Sequence, residues 1–160
     1  MKCLILCAFL TGMAVHASLQ APKADAKPAA KSLELGNFSL SLNVKDIAAS
    51  RAFYEKLGFK ATMGKQEQKW LIMQNATGTI GLFQGAFERN SLTFNPGWDR
   101  SAKPLASFQD VREIQRELKI AGVTLKSGAD EKSTGPASLA LVDPDGNPIL
   151  IDQHVPAPGK

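Results

Sequence analysis

The feature that most constrains this chain is a segment type that occurs twice. Each copy reads as a short apolar strand, an Asp, an amphipathic helix, a Gly and an apolar residue that starts another strand. The copies span residues 38–59 and 105–123, with Asp46 and Gly58 in the first and Asp110 and Gly122 in the second. A repeated strand–helix unit predicts an internally duplicated fold. Two facing halves would enclose a cleft, which is where small molecules usually bind.

The first copy opens a predicted β-α-β-β-β module at residues 33–84. Strand 35–44 alternates apolar and small polar residues, so Ser39, Ser41 and Asn43 share one face. A helix follows to about residue 57, with Asp46 as its N-cap rather than a catalytic acid. Strands are expected at 59–63, 69–74 and 79–84, and the turn residues 75–78 make the last two a hairpin.

A linker is predicted at residues 85–102, and module two at 103–156. The linker is aromatic for a loop, with Phe94 and Trp98 among its residues. It predicts either a lid over the cleft or a hydrophobic strap along the sheet edge. Module two is expected to repeat the order, with a strand at 105–108, a helix capped by Asp110, a strand at 123–126 and a hairpin of strands 137–142 and 148–153.

The N-terminal 32 residues are not expected to belong to the folded domain. Residues 1–17 have a basic start, an uncharged apolar run and small residues at the end, which predicts a cleavable signal peptide and export to the periplasm or the medium. Residues 18–32 are rich in Ala, Lys and Pro and predict a flexible tether. Both cysteines lie in the signal peptide, so the mature chain would have no disulfide and no thiol ligand.

The amount and distribution of charge argue against a nucleic-acid partner. The full chain has a net charge of +4, and much of the basic excess lies in the tether. No basic stripe alternates with aromatic residues, so no nucleic-acid partner is expected. After signal cleavage no membrane association is expected either.

The chain resembles the vicinal oxygen chelate superfamily, the group of glyoxalase I, bleomycin-resistance proteins and extradiol dioxygenases. The resemblance is carried by the stretch AFYEKLGF at 52–59, the duplicated strand–helix order and the stretch DPDGNPI at 143–149. It implies an α+β fold of two βαβββ modules forming a cup-shaped mixed sheet, with the helices packed outside and the site inside the cup. Members often form dimers, so a homodimer is also implied.

The resemblance also implies four inward metal-ligand positions, and this sequence departs from all of them. The matching residues are Ser39, Gly81, Lys103 or its neighbours, and Leu150. These side chains are poor ligands for a divalent ion, so no metal and no cofactor are expected. A displaced site built from Asn43, Asp152 and His154 is the alternative; His154 is the only histidine after residue 17, and as a lone histidine it more often lies on a surface.

The predicted ligand-binding residues combine a polar stripe with apolar walls. Trp70 could be core or a stacking wall, and Phe83 shares its strand face with Gly81. The full set is Ser39, Ser41, Asn43, Trp70, Phe83, Phe94, Trp98, Leu150 and Asp152. No catalytic residue is assigned.

These residues favour a metal-free protein that binds a small molecule in the cup between its two modules. The alternative is a glyoxalase- or dioxygenase-type lyase or oxidoreductase with a displaced divalent-metal site. A third interpretation is a scaffold whose cup is filled by its own side chains.

Overall fold

A computed structural model describes residues 32–159. The predicted signal peptide and all but the last residue of the predicted tether lie outside the described residues. Ten helices and strands follow one another: β1 (Asn37–Asn43), α1 (Ile47–Lys56), β2 (Lys60–Lys65), β3 (Trp70–Gln74), β4 (Thr79–Phe83), β5 (Ser91–Asn95), α2 (Val111–Ile120), β6 (Leu125–Ser127), β7 (Ala137–Val142) and β8 (Pro148–Gln153). Within this part of the chain, neither helix is long and apolar enough to cross a membrane.

The eight strands form one open mixed sheet in the order β2-β3-β4-β1-β5-β8-β7-β6. At its centre β1 pairs antiparallel with β5, and Ser39 lies opposite Thr93. On either side of this pair, β1 is parallel to β4 and β5 is parallel to β8. Each half therefore has the order β-α-β-β-β, which confirms the predicted α+β fold of two modules.

Both helices pack on one face of the sheet, over two separate cores. The first core contains Ile47, Leu71, Met73, Ile80 and Leu82. The second contains Val111, Ile114, Leu139 and Ile151. Because side chains alternate across a strand, the residues between these core positions must face away from the helices.

The predicted start of module two is wrong. Residues 105–108 form no strand; Leu105 is exposed, and its backbone N–H donates to the Gly97 carbonyl at 2.8 Å. The first strand of the second module is β5, inside the segment predicted to be an irregular linker. Its five residues alternate polar and apolar, but the run is short and is followed directly by Pro96 and Gly97. The run at residues 105–108, which leads into a helix, therefore matched the pattern expected for a strand better than residues 91–95 did.

Both aspartates cap their helices, as predicted. Asp46 accepts hydrogen bonds from the backbone N–H groups of Ala48 and Ala49 at 2.9 and 3.1 Å. Asp110 accepts from the N–H of Arg112 at 2.8 Å. The two caps differ in burial, because Asp46 is exposed whereas Asp110 is only 6% exposed.

Asp110 also belongs to a buried polar network that joins α2 to β8. The Arg112 guanidinium bonds its carboxylate at 3.2 Å, and the side-chain N–H of Gln153 donates to it at 2.9 Å. Burial alone would raise the pKa of Asp110, but the hydrogen bonds from Gln153 and Arg112 outweigh burial and lower the pKa. Arg112 also bonds the carbonyls of Asp130 and Gly135, which fixes the loop after β6.

We predict that Asp110→Asn lowers the free energy of unfolding by about 2–3 kcal/mol, because it leaves the buried Arg112 without its counter-charge. The matched control is Asp46→Asn, in the exposed cap of α1. Asn caps a helix as well as Asp does, so this control should change stability little. Urea unfolding of both variants at pH 7 measures the difference, and equal effects at the two sites would contradict the prediction.

The contribution of the Asp110–Arg112 pair to the free energy of unfolding should depend on pH. A carboxyl with a lowered folded-state pKa stabilises the fold above its unfolded pKa of about 3.9 and loses that contribution as the pH falls through the folded value. The stability difference between wild type and Asp110→Asn should therefore shrink below about pH 4.

Candidate functional site

The face of the sheet that points away from the helices is lined by small polar residues at its centre. Ser39 and Ser41 of β1 lie beside Thr93 and Asn95 of β5, and all four are buried. The hydroxyls of Ser41 and Thr93 are 2.9 Å apart and hydrogen-bond each other. The two central strands thus contribute a neutral, hydrogen-bonding floor.

This face encloses a cavity of about 1020 Å³. The cavity lies over β1, β3, β4, β5 and β8, and it is also lined by residues of the loops after β4 and β5. The space is at the upper end of the range for small-molecule sites, about 300–1000 Å³. It is too large to be treated as a packing defect of the core.

One end of the cavity, which we call the aromatic end, is formed by Trp70, Phe83 and Phe87. Trp70 of β3 lies opposite Phe83 of β4, so both rings face the cavity. Phe87, from the loop after β4, packs on Phe83 with ring centroids 5.2 Å apart. Three rings in this arrangement can hold an apolar or planar group.

The opposite end, which we call the polar end, contains Asp152 and His154. His154 Nε2 lies 3.3 Å from the Asp152 carboxylate. The imidazole also stacks on Trp98, with centroids 4.2 Å apart and an interplanar angle of 17°. Arg100, which also lines the cavity, ties the loop after β5 to the turn between β3 and β4, because it donates to the carbonyls of Asn75 and Gly78 at 2.6 and 3.2 Å.

The middle of the cavity floor holds the residues at which the family's metal ligands would be expected. Ser39 and Leu150 line the cavity, and Gly81 lies on the same face of β4 as Phe83, as predicted from the alternation of their strands. Gly81 has no side chain, and a Cβ added there would collide with the Phe83 ring. The ring therefore lies where a ligating side chain from β4 would have to extend.

The position assigned to Lys103 was wrong, because that residue is not on a module's first strand. The equivalent strand is β5, whose inward residues are Ser91, Thr93 and Asn95. None of them is a histidine or a carboxylate. Residues 32–159 contain no group of three or more His, Cys, Asp or Glu side chains that could hold a metal ion. The donors present therefore do not fit the divalent metal of the family's enzymes.

Most of the predicted binding residues come together in this cavity. The seven that line it are Ser39, Ser41, Trp70, Phe83, Trp98, Leu150 and Asp152.

Two predicted residues lie elsewhere. The Asn43 side chain donates to the carbonyl of Glu88 at 3.2 Å and is not part of the cavity lining. Phe94 was expected in a lid, but it is on the helix side of β5, where it packs on Phe38 and the second core. Because Asn43 is outside the cavity, the displaced metal site of Asn43, Asp152 and His154 does not assemble.

Sequence reasoning missed several lining residues. Thr93 was hidden in the misassigned linker, although the alternation of residues 91–95 was the signal that could have revealed it. Gln74, Phe87 and Arg100 also line the cavity. Gln74 shares a strand face with Trp70 by period two, whereas no local pattern places the two loop residues there.

Comparisons with known proteins agree with this fold. Residues 36–151 match the Glyoxalase/Bleomycin resistance protein/Dioxygenase superfamily, so the chain belongs to that family. It is 32% identical to virulence protein STM3117 of Salmonella typhimurium over 120 residues, which cover 72% of this chain and 82% of the relative. It is 27% identical to a bleomycin resistance protein of Klebsiella pneumoniae over 128 residues, which cover 71% of this chain and 89% of that protein.

A solved structure, described as an NAD-dependent benzaldehyde dehydrogenase from Legionella pneumophila, superposes with a TM-score of 0.55 at 19% identity. The match covers 74% of this chain and 99% of that one. At this level of identity the likeness concerns the fold alone.

We predict that Gly81→Ala forces the Phe83 ring to move and costs about 1–2 kcal/mol of unfolding free energy, as expected when a methyl group is inserted into a packed site. The emission of Trp70, opposite Phe83, should change with it. Gly135→Ala is the control, because a Cβ there meets nothing within 4 Å. A stability loss at residue 135 equal to that at residue 81 would contradict the assignment.

Proposed function

We propose that this protein is an exported, metal-free member of its family that binds a partly aromatic, amphipathic small molecule in the cavity. The single observation that carries the proposal is the cavity itself, with aromatic rings at one end and polar groups at the other. Binding sites for small molecules combine apolar walls with a few placed polar groups in this way.

Burial of an apolar group against the rings of Trp70, Phe83 and Phe87 supplies the affinity. Each square ångström of apolar surface removed from water contributes roughly 25 cal/mol. The neutral floor of Ser41 and Thr93 already has its own internal hydrogen bond. It can therefore be covered by a ligand without leaving a charge buried.

The metal-free state is supported by the chemistry of the inward residues. Ser39, Gly81, Thr93 and Leu150 offer two hydroxyls, no side chain and an aliphatic group. Metal catalysis of the family's kind requires an ion that polarises the substrate oxygens, and these donors would hold one poorly.

A lyase or oxidoreductase with a displaced metal site is the second candidate. The contact between Asp152 and His154 favours it, since a carboxylate and an imidazole can move protons. These two donors lack a third partner among the described residues, because Asn43 is outside the cavity. Binding without turnover is therefore the better-supported function. The relative from Klebsiella pneumoniae, a resistance protein by name, is consistent with it.

The chain provides its own reporters for a binding test. It has two tryptophans, Trp70 and Trp98, and both line the cavity. We predict that N-phenyl-1-naphthylamine, a neutral aromatic fluorophore, binds with one site per chain and quenches tryptophan emission by energy transfer. Phe87→Ala should weaken this binding about fivefold to tenfold, because a ring of the aromatic end is lost.

The control for this experiment is Phe53→Ala, which removes a ring that is 57% exposed on α1, outside the cavity. Equal affinities of the two variants would show that the fluorophore binds elsewhere. The same preparation, purified without chelators, should contain far less than one equivalent of divalent metal by elemental analysis. A tight stoichiometric metal that quenches the tryptophans would overturn the metal-free assignment.

Export rests on the sequence of residues 1–17. We predict that the full chain, expressed in a Gram-negative bacterium, is recovered from the periplasm or the medium with Ser18 as its first residue by mass spectrometry. Leu6→Arg, which places a charge in the apolar run, should leave the protein unprocessed in the cytoplasm. Recovery of unprocessed wild-type protein in the cytoplasm would contradict export. A homodimer stays a prediction from the family resemblance.

A further inference from the structure

The polar end of the cavity contains one carboxylate, Asp152, together with the side-chain amide oxygens of Gln74 and Asn95. We infer that it binds a cationic, hydrogen-bond-donating head group, such as a primary ammonium, of a ligand whose apolar part occupies the aromatic end. The inference rests on the proposed function and adds the chemical class of the ligand. The residues that carry it are Gln74, Asn95 and Asp152, which all line the cavity.

Two side-chain amides of this end already donate hydrogen bonds within the protein. Asn95 Nδ2 donates to the Asp152 carbonyl at 3.0 Å. Gln74 Nε2 donates to the Arg100 carbonyl and, at 3.3 Å, to Thr79 Oγ1. Gln74 thus has only its side-chain oxygen left for a ligand, and an amide oxygen can only accept; Asn95 keeps its oxygen and one N–H.

The free oxygen of Asn95 has access to the cavity. Asn95 is only 7% exposed, and no hydrogen bond to its Oδ1 is found among the described residues. Nevertheless, within residues 32–159 no buried side-chain nitrogen or oxygen lacks a partner. Because Asn95 lines the cavity, its Oδ1 atom is available to a ligand there.

Asp152 supplies the charge. His154 contacts one of its oxygens, Oδ2, at 3.3 Å. No hydrogen bond or ion pair to the other oxygen is found in the described part of the chain, and the side chain remains 31% exposed. A carboxylate is an acceptor with about four lone-pair positions, so it can accept further bonds from a ligand.

The cations that line the cavity direct N–H groups at backbone carbonyls, although Arg100 keeps its positive charge near the polar end. Arg100 uses its guanidinium on the carbonyls of the turn between β3 and β4. Arg89 donates to the carbonyl of Gly146, in the turn before β8. Lys69 directly precedes Trp70 and therefore lies at the aromatic end. The remaining charged groups that line the cavity are Glu88, Asp152 and, when protonated, His154.

The spacing of the two ends sets the length of the ligand. Trp70 and Gln74 lie on the same strand and the same face, four residues apart. At about 3.4 Å per residue this separation is roughly 14 Å. This length accommodates a ring that carries an amine on a short alkyl chain.

The test uses three compounds with one skeleton: 4-phenylbutylamine, 4-phenylbutanol and 4-phenylbutyrate. Their affinities for the wild-type protein are measured by isothermal titration calorimetry at pH 7.5. We expect the amine to bind about tenfold more tightly than the alcohol, because hydrogen bonds to charged groups are stronger than neutral ones. The carboxylate should bind most weakly.

Asp152→Asn should reduce the affinity for the amine about tenfold, to the level of the alcohol. The matched control is Asp145→Asn, which removes the same charge from an exposed turn outside the cavity. This control should leave the order of the three affinities unchanged. Thermal unfolding of both variants checks that they are folded.

Two results would distinguish failure of the cationic head group from failure of the proposed binding function. If all three compounds bind equally, or the carboxylate binds best, the cationic head group is wrong while a cavity for aromatic amphiphiles stands. If none of the three binds, the proposed binding function fails, and the inference fails with it.

Discussion

The structure depends on the antiparallel pairing of β1 with β5. This pair joins the two modules into one eight-stranded sheet, and without it each half would be a four-stranded sheet with a bare central edge. An unpaired inner edge would expose backbone N–H and C=O groups that need partners. The same pairing places the polar residues of both strands side by side, with Ser39 opposite Thr93. The cavity floor is therefore a direct consequence of the way the halves are joined.

The two faces of the sheet have different chemistry, and this difference separates stability from function. Branched and aliphatic residues of the strands pack under α1 and α2 in two cores. Neither of the two helices among residues 32–159 packs on the opposite face, where the hydroxyls of Ser41 and Thr93 hydrogen-bond each other. On this floor Gly81 leaves room for the Phe83 ring, because a Cβ at residue 81 would collide with it. A metal centre would require donors at places now taken by an aromatic group and an aliphatic one.

The duplication is unequal, and the inequality makes the cavity asymmetric. Three residues connect β1 to α1 in the first module, whereas fifteen connect β5 to α2 in the second. This longer connection contributes Trp98 and Arg100 to the polar end, where Trp98 stacks on His154. The loop after β4 contributes Phe87 to the aromatic end. Two loops thus give a nearly symmetric sheet one apolar end and one polar end.

The sequence alone determined the elements that obey local rules. Period-two alternation placed Ser39, Ser41 and Phe83 on the inward face, the aspartates at 46 and 110 identified the helix starts, and two family stretches identified the cup fold. The sequence could not reveal the partner of β1, because strand pairing is decided by contacts between distant residues. β5 was consequently taken for a loop, and Phe94 was assigned to a lid although the sheet turns it toward the core. The tertiary structure alone brought Trp98 against His154, since this contact joins segments separated by more than fifty residues.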